Sequence, residues 1–361
     1  MAANSDPARQ RADAFCADFC LRIPVLLAPM AGACPPSLSI AVANAGGMGA
    51  CGALLLSPSE ILGWAQEFRA ESDGTLQINL WIPDPAPVRD AAREDAVRAF
   101  LQNWGPAVAP TAGDASPPDF AEQCEALLQA APDAISSIMG LYPPEFVARM
   151  KAKGIKWFAN VTTVDEARLA EAAGADVIVA QGMEAGGHRG AFDASYAEQQ
   201  LVGLFALLPA VVDAVSVPVV ATGGIADARG IAAALTLGAS AAQIGTGFLR
   251  SPEAKVAQAW ADSIGRCMPE ETVVTRAFSG RPGRAIANAY AKAATSSEAP
   301  DPAPYPVQRG LTKAMRDLAA QTNDIDRIQA WAGQSSRLAR AEPAGELART
   351  LWDGAKALLP S

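Results

Sequence analysis

Residues 176–192 read DVIVAQGMEAGGHRGAF. The stretch joins a short apolar run, residues 177–180, to a glycine-rich loop carrying His188, the only histidine among 361 residues. An apolar run of that length is a strand buried on both faces. Gln181 and Gly182 close it. Gly186 and Gly187 then let the backbone come close to a flat ligand. Taken alone, a lone histidine there is equally consistent with an exposed turn, so the surrounding chain has to decide.

Outward from this strand the same unit recurs. Residues 25–30 (VLLAPM), 48–56, 76–82 (LQINLWI), 134–140 and 156–161 precede it as strands, and residues 217–221 and 241–249 follow. Helical patterns lie between them. One covers 36–45 and is ended by Gly46 and Gly47; another opens at the capping box Ser57-Pro58-Ser59-Glu60. Others cover 144–153, 199–215, the segment from the capping box Thr163-Val164-Asp165-Glu166 to Gly174, and the segment from Asp227 to Gly238. Strands alternating with helices imply parallel pairing and right-handed crossovers. Eight such units over this length predict an α/β fold, a (β/α)8 barrel, in preference to an open doubly wound sheet.

Two regions break the pattern. Residues 83–132 are rich in Pro, Ala and Asp, with helical patches at 88–104 and 119–130. Beyond Arg250, helices are expected at 253–267, 282–294, 311–331 and 344–359, with a strand at 272–279 and a Pro-rich linker at 296–306. The predicted organisation is an N-terminal extension (1–22), a barrel (23–250) and a mostly helical appended region (251–340). A C-terminal helix (341–361) returns to close the barrel's outer ring.

Composition excludes several classes. Half the residues are hydrophobic and 19% are charged, enough for a large core. The formal net charge of −9 argues against nucleic-acid partners and against a polybasic membrane surface. The six cysteines are scattered without a CxxC pair, and with one histidine they do not make a zinc site. Residues 23–59 carry no charge, but Pro24, Pro29, Pro35 and Pro36 interrupt them as a membrane span. With no apolar signal segment before Arg22, the expectation is a cytoplasmic protein.

In a barrel of this kind the active site lies at the C-terminal ends of the strands. Met30, Asn79, Asn160, Gln181, Gly224, Gly245 and Thr246 all fall there, as does His188. Buried amides at such places need partners, so core packing explains them poorly. Two glycine-rich loops, residues 221–225 (ATGGI) and 243–247 (QIGTG), follow strands seven and eight, where barrels build phosphate sites from backbone N–H groups. Residues 47–52 match GxGxxG, but they follow a helix and enter a strand, the reverse of a dinucleotide fingerprint. There is no GxSxG, and a single histidine gives little support to a serine triad.

The combination of APMAG (28–32), QIN (77–79), AQGMEAGGHRG (180–190), ATGGI, QIGTGF (243–248), TRAFSGR (275–281) and GQS (333–335) resembles the nitronate monooxygenases, formerly called 2-nitropropane dioxygenases. The likeness runs from about residue 23 to 336. It implies a barrel holding non-covalent FMN against Met30, Asn79, Gln181, Gly186, Gly224, Gln243, Ile244, Gly245 and Thr246. His188 would be the catalytic residue. The implied reaction is oxidation by O2 of alkyl nitronates, and of neutral nitroalkanes, to carbonyl compounds and nitrite; a homodimer is compatible with it. A histidine suits two tasks there. Neutral, it removes the acidic α-proton of a nitroalkane; protonated, it steadies the bound anion. Arg189 is expected to face solvent, and Glu184 to orient His188 or be solvated.

Three alternatives stay open. Flavin-dependent enoyl-acyl-carrier-protein reductases are similar barrels with a similar histidine loop and oxidise NAD(P)H. The excess of acidic residues offers no landing patch for an acidic carrier protein, which favours the monooxygenase. A non-redox barrel would bind a sugar phosphate or nucleotide on the same loops. A flavin-binding protein without turnover is the third.

Overall fold

A computed structural model describes residues 6–360; residues 1–5 of the expected N-terminal extension, and Ser361, lie outside the described residues. Strands are numbered in chain order. β1 (Val25–Leu27), β2 (Gly49–Gly52), β3 (Leu76–Trp81), β4 (Ala134–Ile138), β5 (Lys156–Val161) and β6 (Val177–Gln181) lead to β7 (Gly187–His188), which lies apart. β8 (Val219–Thr222) and β9 (Ala241–Ile244) return to the main sheet. Its order is β1-β9-β8-β6-β5-β4-β3-β2, and every pairing in it is parallel. The seam between β1 and β2 is closed by Leu27 N–H donating to Met48 O (2.9 Å) and Met48 N–H to Val25 O (3.2 Å). The result is a (β/α)8 barrel.

Helices cover the outer face because each strand shows apolar residues to both sides. Their starts follow the sequence: Ser57 and Glu60 form a reciprocal capping box, and the Thr163 and Asp227 side chains accept from Glu166 N–H (3.2 Å) and Gly230 N–H (3.1 Å). Helix Ala344–Leu358 packs between helix Ala228–Thr236 and helix Pro36–Asn44, where the partner of β9 belongs. At the opposite end from the strand C-termini, helix Pro7–Asp18 brings Phe15 and Phe19 against Phe158, Leu26 and Val220. Side chains thus fill the interior of the barrel at that end.

The mouth is roofed by two excursions. The first leaves β3 and carries helix Ala91–Leu101; the second leaves β9. Val97 and Leu101 of the first share a core with Phe278, Tyr290, Val307 and Met315 of the second. The second also holds β10 (Thr272–Thr275) and β11 (Gly283–Ile286), which form a small antiparallel sheet with β7.

Several expected bounds need correction: strand two ends at Gly52, the strand expected over 272–279 at Thr275, and the helix expected over 311–331 at Gln321. The helix expected over 282–294 begins as strand β11, because residues 283–286 find partners in β10 and β7; only Ala289–Ala294, capped by Asn288, is helical. The strand expected over 241–249 stops at Ile244, since residues from Thr246 to Phe248 wind into a 3-10 turn. Among the described residues no helix is long and apolar enough to cross a membrane, and no cluster of potential metal ligands occurs.

Candidate active site

A cavity of about 360 Å³ opens at the C-terminal ends of the barrel strands. That is within the size range of small-ligand sites. One end is formed by the loops after β8 and β9, with Gly223, Gly224, Gly245 and Thr246. The other is formed by His188, Trp81, Trp331 and Arg309. Met30, Asn79, Gln181, Gly186 and Gln243 line the space between them.

His188 is set by β7. Gly283 and Arg284 of β11 pair with it and with Gly187, which takes φ +77° and so needs to be glycine. The imidazole lies edge-on to Trp81 (4.6 Å between centroids) and to Trp331 (4.8 Å). Its Nε2 is 2.7 Å from Ser279 Oγ. The Ser279 hydroxyl in turn donates to the Arg281 carbonyl (3.1 Å). The direction of the His188–Ser279 bond follows the imidazole tautomer: when the hydroxyl proton goes to Arg281 O, Nε2 donates to Ser279 and Nδ1 is the ring's acceptor. Enclosure, then the positive charges of Arg281 and Arg309, lower the pKa of His188 from 6.5 to about 3. The shift favours the neutral ring, the form that can accept a proton; an anion bound beside it would act in the opposite direction.

The loop before His188 is tied down from beneath. Gln181 Oε1 accepts from Gly190 N–H (2.8 Å) and from Arg189 Nη1 (3.2 Å), while its Nε2 donates to His188 O (3.2 Å). Arg189 does not face solvent: it is 1% exposed and also donates to Gly182 O (2.8 Å). Burial, then the positive charge of Arg284, lowers its pKa to about 10 against the opposing carboxylates of Glu166 and Glu184. Glu184 neither orients His188 nor is merely solvated. Its carboxylate accepts from Leu204 N–H (2.9 and 3.0 Å) and caps helix Leu204–Val212.

The two glycine loops meet, as neighbouring strands require. Gly223 and Gly224 take φ +100° and +70°. Among the described residues the N–H of Gly224 has no hydrogen-bond partner. Segment 333–335 returns to the same loops: Gly333 N–H donates to Thr246 Oγ1 (3.0 Å) and Ser335 Oγ to Gly224 O (2.5 Å). Gly186 is held there by the chain itself, since a Cβ on it would sit 2.5 Å from Gly333 N. Ile244 is the exception among the expected cofactor residues. Gln243 faces inward and accepts from Gln77 Nε2 (3.1 Å), so Ile244, next in the strand, faces the helical layer; it is 1% exposed and not part of the cavity wall.

Several residues at the site carry no local signal. Trp81 ends β3, and Trp331 lies in a segment expected to be helical. Arg281 is fully buried beside the site, ion-paired with Asp84 and donating to Ala191 O (2.6 Å). Arg309 and Tyr305 come from the roof. Ser279 sits inside TRAFSGR, a signal that marked the segment without showing its contact with His188.

The nitronate monooxygenase family profile matches residues 14–354. The chain is 36% identical over 334 residues to a nitronate monooxygenase of Paraburkholderia phytofirmans, covering 91% of each. It is 33% identical over 330 residues to a probable nitronate monooxygenase of Staphylococcus aureus, covering 91% of this chain and 92% of that one. Among solved structures, nitroalkane oxidase from Streptomyces ansochromogenes superposes with a TM-score of 0.86 at 32% identity, over 95% of this chain and 99% of that one. FabK from Thermotoga maritima superposes with a TM-score of 0.75 at 26% identity, over 96% of each.

Proposed function

The chain belongs to the nitronate monooxygenase family of flavin-dependent oxidoreductases, and on that premise we propose that it uses FMN to oxidise alkyl nitronates with O2 to carbonyl compounds and nitrite. One observation carries this reading. A single cavity has two glycine loops at one end and an imidazole between two tryptophans at the other.

The residues present fit a flavin mononucleotide. The free Gly224 N–H, with Gly245 and Thr246 beside it, offers a phosphate cradle. Asn160 Nδ2 lines the cavity region as a buried donor without a partner, which an acceptor on a ring edge would satisfy. Met30, Asn79, Gln181, Gly186 and Gln243 would complete the holding surface. The flavin, when bound, supplies the electron acceptor and the place where O2 is reduced.

The chain's own part is to bind and orient. Ser279 fixes the imidazole through Nε2, which leaves Nδ1 to take a proton. A general base works best when its pKa lies near the operating pH. A value of about 3 makes His188 a weak base, which favours preformed nitronates over neutral nitroalkanes. The test is an anaerobic absorption titration of the purified holoenzyme. Loss of the oxidised-flavin bands on adding an alkyl nitronate is expected. Loss with NADH or NADPH and none with the nitronate would replace this reading with a nicotinamide-dependent reductase.

A further inference from the structure

We propose that Arg309 binds the anionic head of the substrate, taking the nitronate oxygens on its guanidinium beside His188. The assignment rests on the function proposed above and adds to it the residue that recognises charge.

Arg309 and Arg316 line the His188 end of the cavity and Arg281 lies beside it; Arg281 and Arg316 are committed elsewhere. Arg281 is ion-paired with Asp84 and bonded to Ala191 O. Arg316 lines the cavity, but Nε donates to Thr312 Oγ1 (3.1 Å), Nη1 to Gln329 Oε1 (3.1 Å) and Nη2 to Arg309 O (2.9 Å). Arg309 also lines the cavity and is partly buried. Among the described residues its side chain makes no hydrogen bond and no ion pair. Only its carbonyl is engaged, by Arg316 and by Thr312 Oγ1 (3.3 Å). The carboxylate of Asp317, the acid nearest in charge influence, is held by Lys313.

A guanidinium withdrawn from water without a counter-ion is unfavourable, and a bound anion removes the deficit. A nitronate carries two oxygens on one planar nitrogen, the geometry a guanidinium fork matches when it holds a carboxylate. Trp81 and Trp331 give apolar walls for the alkyl part. The arrangement also divides the work. Arg309 supplies the positive charge, and its field helps keep His188 neutral and free to handle a proton.

The test compares Arg309→Met and Arg309→Lys with the unaltered holoenzyme. Nitrate, a planar oxyanion that the enzyme does not oxidise, serves as the binding probe in isothermal titration. In Arg309→Met the nitrate Kd and the nitronate KM should each rise about 10- to 100-fold, the range for losing a charge-assisted hydrogen bond. Flavin content should stay as it was, the KM for a neutral nitroalkane should rise less than that for the nitronate, and Arg309→Lys should recover part of the loss. Arg309→Gln gives the same reading if the methionine variant does not fold. Unchanged nitrate affinity and unchanged nitronate KM would overturn the assignment while leaving the reaction intact. Arg309-dependent nitrate binding in a protein that oxidises no nitronate would sink the reaction and leave the anion site standing.

Discussion

Ser279 Oγ and His188 Nε2 lie 2.7 Å apart although 91 residues separate them in the chain. β7 and β11 make the meeting possible: Gly283 pairs with His188 itself. Ser279→Ala should remove the anchor and leave the imidazole free to turn. Turnover is expected to fall about tenfold with flavin content unchanged, the scale of one lost hydrogen bond in a catalytic arrangement. Unchanged turnover across the pH range would show that the contact does not matter to chemistry.

His188→Asn keeps a side chain that can bond Ser279 but removes the base. Flavin should be retained. Activity on neutral nitroalkanes should fall further than activity on preformed nitronates, because only the former need a proton removed. Steady-state rates on both forms of one compound decide it, and equal loss on both would remove the proton-abstraction role.

The depressed pKa of His188 also bears on stability. In the unfolded chain the group titrates near 6.5, and in the folded protein near 3. Between those values the unfolded chain holds one proton that the folded protein does not, so acid favours unfolding. The contribution is complete above pH 6.5 and is lost as pH falls towards 3. Melting temperatures of the parent and His188→Asn should therefore converge as pH drops through this window; parallel curves would contradict it.

Two glycines should respond differently. Gly245→Asp places a carboxylate in the proposed phosphate cradle and should yield largely flavin-free protein, read from the absorbance ratio on purification. A full flavin complement would put the phosphate elsewhere. Gly186→Ala forces a methyl to within 2.5 Å of Gly333 N. It should destabilise the fold by about 1–3 kcal/mol, the usual scale of overpacking, as measured in urea.

How much of this could be read from the chain alone depended on distance. β5 was expected at 156–161 and is found there, because Lys156 starts the strand and a capping threonine follows it. Strand two, expected to reach residue 56, ends at Gly52, since nothing local shows where its ladder partner stops. Met30, Asn79, Gln181, Gly224 and Thr246 reach the cavity because strand C-termini converge in any such barrel. The side chain of Ile244 turns to the helical layer for an equally simple reason: alternate residues of a strand face opposite ways. Arg189 looked like a surface charge, and its burial under Gln181 is a tertiary fact. So are Arg281, Arg309 and Trp331, brought to His188 by pairings between distant segments.

The return of helix Ala344–Leu358 to the barrel wall has a consequence for how the molecule is made. β9 ends at residue 244, and the helix that covers it begins a hundred positions later. During synthesis the ring of strands can assemble while the flanks of helix Ala228–Thr236 and helix Pro36–Asn44 still face water. A nascent chain paused in the roof would present a sticky, half-clad cylinder to chaperones and proteases. The final helix would then act as the latch that ends that exposure.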